Sequence, residues 1–536
     1  MRSAKDWSDR AEGVEPEQGA ETPPVTQAEQ LHRMALAFPN ETAYVVVDQG
    51  RMTYAEWDAG VSRLARGLIA SGVAPGDRVG VHLSHENALR WMTGYAAAHR
   101  AGGVAVPMNP RLAPLEIAHM LEHSAATALI ADGPLVAQDA GVAPKTLSFI
   151  VDASREGLAG ADGASVPVLA WDQFLDDDAS AFQVPRTDDD LADILYTSGT
   201  TGRPKGVAVH HGAHSMIKMG KPVFTGGGWL HASPMYTFAG VSSVFNPMLL
   251  GLTGIYQPRF DATRWLEVVE ELRPVAVFLV PAMAHLLLEH PQFEEADLSS
   301  VMMCSVGSAP LSPSVLERLQ NRMPHAVVSN NYGMTEAGTA YCLMPQGEAV
   351  KRPGSVGKMA GPATVKIVDS EGNELPPGEV GEVRLHIPGR HRVYYNDPEA
   401  TAAMWVDGWL HTGDLGKLDE DGYLYIVGRD KDVIIRGGNN IHALDVENVM
   451  VTHPAVSEVA IVGAPHAVLG EDVAAFVVLR QGATATPEEL REFGLSQLAD
   501  YKVPRHWYFV DELPRNATGK VVKKELRARL EEAPAS

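Results

Sequence analysis

Cysteine is scarce in this sequence: among 536 residues only Cys304 and Cys342 carry thiols. Two thiols cannot build a disulfide framework, and they suit a reducing compartment. Both read as small buried residues rather than reactive nucleophiles. Basic charge is also short. Lys and Arg total 44 against 67 Asp and Glu, a formal net charge of −23. Such a surface repels phosphate backbones, which argues against a nucleic-acid partner. An anionic nucleotide would need a local basic site. No apolar run approaches the roughly 18 residues of a membrane span. The opening stretch MRSAKDWSDRAEGVEPEQGAE lacks the apolar segment of a secretory signal. Residues 1–24, acidic and closed by Pro23 and Pro24, read as a disordered tail. There is no internal repeat. What remains is an ordinary globular composition, 45% hydrophobic and 21% charged. The length calls for two or three domains, and the expected location is cytoplasmic.

Strand and helix patterns alternate through the first half. Thr53 to Ser71 reads as an amphipathic helix, with Trp57, Val61, Leu64 and Leu68 at helical spacing. Thr53 and Glu56 make a capping-box pattern, and Gly72 stops the helix. Strands are expected at Asp77–Leu83, Gly103–Met108 and Ala126–Ala131, with helices at Ala88–Arg100 and Leu115–Glu122. The pattern resumes with strands at Val275–Val280 and Ser300–Val306. Alternation of this kind predicts an α/β fold with a parallel, helix-covered sheet. After Gly354 the texture changes to strands joined by turn residues, a smaller β-rich subdomain. Near Gly428 it changes again, to strands at Val456–Val462 and Val473–Leu479, a helix at Pro487–Leu498 and a basic helix at Lys520–Leu530. A compact α+β domain of about a hundred residues fits that stretch.

The most informative ten residues are TSGTTGRPKG, Thr197 to Gly206. Gly199, Gly202 and Gly206 let the backbone approach a ligand. Bare N–H groups then point at anionic oxygens, the hydroxyls of Thr197, Ser198, Thr200 and Thr201 add neutral donors, and Lys205 adds charge. The apolar residues Leu191, Ile194, Leu195 and Tyr196 read as a strand launching the loop. It is not a Walker loop, which needs a hydroxyl directly after its lysine; here Gly206 follows.

This string resembles the phosphate-binding signature of the adenylate-forming superfamily: acyl-CoA synthetases, carrier-loading adenylation domains and beetle luciferases. Further segments match the same superfamily in the same order. Gly307-Ser308-Ala309-Pro310 ends a strand, and its small residues would leave a flat slot for a purine; the resemblance places it at the adenine site. In Tyr332-Gly333-Met334-Thr335-Glu336 the resemblance assigns Tyr332 to adenine, Thr335 to the α-phosphate and Glu336 to Mg²⁺. One carboxylate plus nucleotide phosphates is a usual way of holding that ion. Asp414, in Thr412-Gly413-Asp414, can accept from both ribose hydroxyls, as the matching aspartate does in the family. Arg429 is implied to contact ribose, Lys431 to be a hinge, and Arg436-Gly437-Gly438-Asn439-Asn440 to be a mobile glycine strand past which pantetheine runs. Asn439 and Ala443 stand where the family often carries glutamate and proline. Leu513 to Lys520 resembles the catalytic-lysine loop, with Lys520 as the lysine. Asp430, Arg436 and His442 are further candidates for contact with the CoA nucleotide.

The resemblance implies a large N-terminal domain over 25–430, including a β-rich subdomain over 355–430, and a small mobile α+β domain over 431–536. It implies ATP, Mg²⁺, CoA and a small carboxylic acid as reactants, with Lys205, Thr335, Glu336 and Lys520 in the chemistry. Around the acid pocket the chain departs from the family. Thr237, beside Tyr236 in SPMYTFAG, stands where many members carry histidine or a large aromatic. Asn331 stands where glycine is frequent, so its side chain either narrows the pocket, favouring a short or polar acid, or bonds only to backbone. The leading expectation is an AMP-forming acid–CoA ligase. The alternatives are transfer of the activated acid to a carrier-protein thiol or an amine (unusual acids such as nitrite included), a nucleotide binder without turnover, and luciferase-like oxidation. Which acid is used and which oligomer forms are not legible in the sequence.

Overall fold

Thr53 and Glu56 start the first long helix of the sheet-building region. Glu56 N donates to Thr53 Oγ at 3.2 Å, and Thr53 N donates to Glu56 Oε2 at 2.8 Å. The box satisfies orphan donors at the head of the helix Tyr54–Ala70. Trp57, Val61, Leu64 and Leu68 are fully buried on one face, and Gly72 leaves the helix at φ +99°. The computed structural model describes residues 26–154, 166–197, 204–215, 217–309, 311–338, 342–466, 468–516 and 519–532. The acidic tail over 1–24 lies outside the described residues, as do Ser198, Gly199, Thr200, Thr201 and Gly202 of the loop, and Pro310.

Two large sheets form the main body. The first has seven strands in the order Val327–Asn331, Met303–Gly307, Ala276–Leu279, Gly228–His231, Thr253–Tyr256, Thr42–Val46 and Gly50–Thr53. All neighbours are parallel except the last pair. The second has eight strands in the order Val393–Tyr394, Lys205–His210, Leu191–Thr197, Val104–Pro107, Arg78–His82, Ala126–Ala131, Phe149–Asp152 and Val168–Ala170. It is parallel apart from the two pairings made by Lys205–His210. The helices Tyr54–Ala70, Ala88–Arg100 and Phe238–Leu250 share one core with residues of both sheets. Trp57 stacks on Phe245 at 5.6 Å and Trp91 on Tyr95 at 5.0 Å. Burial of such rings dominates core energetics.

An antiparallel sheet follows, in the order Cys342–Leu343, Ser355–Met359, Leu424–Arg429, Trp409–Leu418, Gly381–His386 and Thr364–Val368, with Trp405–Val406 paired to Trp409–Leu418. It draws in Cys342–Leu343 from ahead of residue 355, while Val393–Tyr394 leaves that stretch for the eight-stranded sheet. The last region is an α+β unit. Its strands run Asn439–His442, Val433–Arg436, Gly470–Leu479 and Val456–His466, with His506–Phe509 parallel to Gly470–Leu479. Two hydrophobic clusters form around it, one with the helices Ala443–Met450 and Pro487–Gln497, the other with Leu526 of the helix Lys523–Glu532. That helix begins three residues beyond Lys520, which therefore precedes it rather than opening it.

Candidate active site

Ligands of parallel α/β sheets gather at the carboxyl ends of the strands. Here those ends carry most of the motif residues. Ser233 to Thr237 follow Gly228–His231, Val280 follows Ala276–Leu279, Ser308 and Ala309 follow Met303–Gly307, and Tyr332 to Glu336 follow Val327–Asn331. Gly307 pairs with Asn331, and a Cβ on Gly307 would stand 3.1 Å from Asn331 O. Ser308 adopts φ +71°, a left-handed backbone unusual for a side chain and common at functional turns.

The eight-stranded sheet supplies the two strands that flank the candidate phosphate loop. Thr197 ends one strand and pairs with Lys205, the first residue of the returning strand. Lys205 Nζ lies 3.8 Å from Asp397 Oδ2 and 4.8 Å from the centroid of the Tyr394 ring. The Tyr394 hydroxyl donates to Glu336 Oε1 at 3.0 Å. Glu336 is 8% exposed, and Arg392 and Lys520 are the cations within electrostatic reach of it among the described residues. A buried carboxylate with one oxygen held by the Tyr394 hydroxyl fits a hard divalent cation carried in with a nucleotide.

The antiparallel sheet contributes Asp414. Its backbone N donates to Thr412 Oγ at 3.1 Å, and Thr412 Oγ donates to Val383 O at 2.6 Å. Tyr332 Oη donates to Asp414 Oδ2 at 2.7 Å, and Arg429 Nε lies 3.1 Å from Asp414 Oδ1. Burial, then the Asp414 carboxylate, push the Tyr332 hydroxyl well above its ordinary value. Gly333 stands exposed between Tyr332 and the turn Thr335–Gly338.

Lys520 arrives from the last region. Gly519, at φ +80°, would place a Cβ 3.9 Å from Val280 Cγ2, so the residue before Lys520 lies against the end of the strand Ala276–Leu279. Asn516 shapes the loop: its N donates to Lys520 O at 2.9 Å, and Lys520 N donates to its Oδ1 at 2.9 Å. Arg515 donates to Gly519 O and to Glu458 Oε2, each at 2.6 Å. Lys520 is half-buried within electrostatic reach of Arg429, Asp414, Glu336 and Lys431. Burial, then the Arg429 charge, hold its ammonium below the ordinary lysine range, while Asp414 and Glu336 oppose them. Arg480 Nη1 pairs with Glu289 Oε1 at 2.5 Å across the same boundary.

Lys431 sits in the single turn Asp430–Asp432, where Arg527 donates to Asp432 Oδ1 at 2.8 Å. Gly437 and Gly438, at φ +57° and +85°, are the two-residue turn between Val433–Arg436 and Asn439–His442. Left-handed φ at both positions is what such a hairpin demands, so glycine is required there for the turn itself. Arg436 is not available to a CoA nucleotide: it is 8% exposed, with Nε bonded to Asp472 Oδ1 at 2.6 Å. His442 precedes the helix Ala443–Met450, and Ala443 is its first residue. That is the helix position where proline is best tolerated, and alanine serves there as well.

Thr237, a candidate for the acid pocket, is a helix cap. Its Oγ accepts from Gly240 N at 3.0 Å and donates to Pro234 O at 2.8 Å. Neighbouring Tyr236 is raised above its ordinary pKa by burial, with Arg111 opposing. Asn331 does not bond only to backbone: its Oδ1 accepts from Ser329 Oγ at 2.9 Å.

Sequence reasoning missed Arg392 and Tyr394. Arg392 is 3% exposed and donates to Thr335 O at 2.8 Å and to Ala213 O at 2.6 Å. Burial pushes its guanidinium down to about 10. Their spacing of two was a signal that both share one strand face, but nothing in the sequence named the turn they face. A cleft of about 250 Å³ opens beside Arg392, Gly338 and Glu336, with Trp405 and His210 on its walls.

The AMP-binding enzyme family profile matches residues 31–395, and that of the AMP-binding enzyme C-terminal domain matches residues 445–520. The chain is 35% identical over 508 residues to a fatty acid–[acyl-carrier-protein] ligase, ScoC, of Streptomyces coeruleorubidus, covering 91% of this chain and 93% of that one. It is 35% identical over 483 residues to a feruloyl-CoA synthase of an Amycolatopsis species, covering 89% and 94%. ATP-bound MatB from Rhodopseudomonas palustris superposes with a TM-score of 0.82 at 30% identity, covering 94% of this chain and 99% of that chain. With both profiles matched in order along its length, this chain belongs to the AMP-binding, adenylate-forming enzyme family.

Proposed function

We propose that the protein is an AMP-forming acid–CoA ligase. The observation that carries this reading is the seating of Gly519 against Val280, which leaves the adjoining Lys520 within electrostatic reach of Glu336 and Asp414. A carboxylate is a poor acyl donor, because oxide does not leave. In the first step a carboxylate oxygen of the acid attacks the α-phosphorus of ATP, and the bond to the β-phosphate oxygen breaks. Pyrophosphate leaves, and the acid is held as a mixed anhydride with AMP. In the second step the CoA thiolate attacks the acyl carbon and the acyl–oxygen bond breaks. AMP takes the electron pair, and the thiol proton passes to solvent.

Each group then has a task. Lys205, the backbone of the candidate phosphate loop and Lys520 hold the phosphate charge, which is catalysis by positioning and electrostatics. Thr335 contacts the α-phosphate and Glu336 the divalent cation. Mg²⁺, entering with ATP, supplies charge neutralisation on the phosphates. Tyr332 and the Gly307–Ala309 turn flank adenine, while Asp414, backed by Arg429, takes the ribose hydroxyls. Residues 25–430 bind ATP and the acid, and 431–536 turn about Lys431 between the steps, bringing the Gly437–Gly438 turn toward the thiol. A hinge needs only one or two residues to absorb such a change.

A second reading keeps the first step and changes the acceptor to a carrier-protein thiol. The similarity to the ScoC ligase favours it as the alternative. Acid-dependent ATP–pyrophosphate exchange, over short, branched, aromatic and long-chain acids, tests adenylation. Adding CoA or a phosphopantetheinylated carrier to the active acid then separates the readings: AMP release that needs the carrier and ignores CoA would overturn the first.

A further inference from the structure

The Thr335–Glu336 turn is held by residues 57 and 58 positions further along the chain. Val393 and Tyr394 pair antiparallel with Ala208 and Val207, on the strand that returns from the candidate phosphate loop. Alternate residues of an extended chain share a face. Arg392 and Tyr394 accordingly reach the same turn. Arg392 Nη1 donates to Thr335 O at 2.8 Å, and Tyr394 Oη donates to Glu336 Oε1 at 3.0 Å. Consecutive residues of the turn are thus gripped from one short segment, the strand Val393–Tyr394 and the residue before it, one through its carbonyl and one through its carboxylate.

Other contacts make both grips stiff. The Arg392 guanidinium lies 4.5 Å from the centroid of the Phe238 ring, and Nη2 donates to Ala213 O at 2.6 Å. Gly338, at φ +59°, would place a Cβ 2.6 Å from Arg392 Nε, so the end of the turn is shaped to admit this side chain. Trp405 Nε1 donates to Arg392 O at 2.8 Å. Two counter-charges lie within reach of the guanidinium: Asp193, buried and bonded to the Tyr95 hydroxyl at 2.7 Å and to His99 Nε2 at 3.0 Å, and Glu336 itself. A buried guanidinium is retained only where such partners offset its desolvation. Tyr394 is packed beneath the Lys205 ammonium, which also faces Asp397.

We infer that Arg392 and Tyr394 form a two-point clamp that positions the Thr335–Glu336 turn for the phosphates and divalent cation of ATP. Arg392 fixes the peptide plane from which both side chains hang. Tyr394 holds one carboxylate oxygen of Glu336 and leaves the other for the cation. Both are positioning residues, acting through Thr335 and Glu336. The inference rests on the ATP-dependent reading above, and it deepens that reading by assigning residues outside every motif used to reach it.

The test is equilibrium binding of ATP to the full chain by calorimetry, titrated with Mg²⁺, alongside pyrophosphate exchange. Tyr394→Phe keeps the ring beneath Lys205 and removes one hydrogen bond to a charged group. The Mg²⁺ concentration for half-maximal ATP binding should rise about tenfold, with ATP binding in EDTA unchanged. Arg392→Lys keeps the charge but loses the fork to two carbonyls. It should lower kcat for exchange about tenfold with KM for the acid unchanged. Wild-type Mg²⁺ dependence in a Tyr394→Phe chain that melts at the wild-type temperature would overturn the clamp. If Arg392→Lys does not fold, Tyr394→Phe decides alone. Exchange silent with every acid would remove the ligase reading while leaving the binding test standing, so the two failures are distinguishable.

Discussion

Asp414 and Arg429 face each other across two antiparallel strands, with Arg429 Nε 3.1 Å from Asp414 Oδ1. Tyr332 holds the other carboxylate oxygen at 2.7 Å. The group proposed to take the ribose is therefore aligned at both oxygens by residues from two separate motifs. Asp414→Asn keeps the shape and loses the charge. KM for ATP should rise about tenfold with kcat nearly unchanged, the loss expected for a charge-assisted hydrogen bond. Asp414→Ala should cost more, because it strands both Tyr332 and Arg429. Steady-state exchange kinetics check this, and a wild-type KM in both variants would remove Asp414 from the nucleotide site.

Lys520 and Lys431 should divide the two half-reactions. Lys520→Ala should slow adenylation by roughly 10²–10³, the range for removing one charge-stabilising group. Thioester formation from supplied acyl-adenylate should survive. Lys431→Pro, which stiffens the turn Asp430–Asp432, should retain adenylation and lose thioester formation. Single-turnover assays of each half-reaction separate the cases. Equal losses in both steps would contradict the division of labour.

The alkaline limb of adenylation should report Lys520. Burial depresses its pKa, and the charged form is the active one, so activity is present below that pKa and lost as pH rises through it. The loss should begin below the ordinary lysine range. Stability moves the other way. Between the depressed folded value and the ordinary unfolded value the unfolded chain binds more protons, so this group stabilises the fold as pH rises. Activity should fall while the contribution of Lys520 to the melting temperature grows. In Lys520→Arg the limb should shift upward; a limb that stays in place would assign it to another group.

Thr237 should matter first as a cap. Thr237→Val removes the hydroxyl that serves Gly240 N and Pro234 O, and should destabilise the chain by about 1 kcal/mol. Thr237→Ser should restore the melting temperature. Calorimetric melting of the three chains checks this, and a Val variant as stable as wild type would leave the cap without energetic weight.

Much of the fold was legible because it is local. The Thr53–Glu56 box, the helix Ala88–Arg100 and the strand Ala126–Ala131 follow from capping chemistry and from periods of 3.6 and 2. The last α+β unit has Val433–Arg436 as its first strand. The boundaries that moved, such as the helix beginning at Lys523, lie where a glycine loop and a basic run cannot be separated by pattern. Of the candidate site, the loop from Thr197 to Gly206, Tyr332, Glu336, Asp414 and Lys520 stood in the sequence as motifs. Arg436 misled, because a basic residue beside two glycines reads as exposed until its partner Asp472, 36 positions away, is seen.

The sequence alone determined the family, through motifs whose spacing along the chain is itself the signal, and the secondary structure that carries them. Only the tertiary structure decided which motif residues hold one another: Tyr332 with Asp414 and Arg429, Glu336 with Tyr394, Thr335 with Arg392. Strand periodicity says which face a side chain takes, but not which strand will lie opposite. That choice is made by packing whole sheets against shared helices, and it places Val393–Tyr394 beside the strand Lys205–His210 rather than in the antiparallel sheet that surrounds it in sequence.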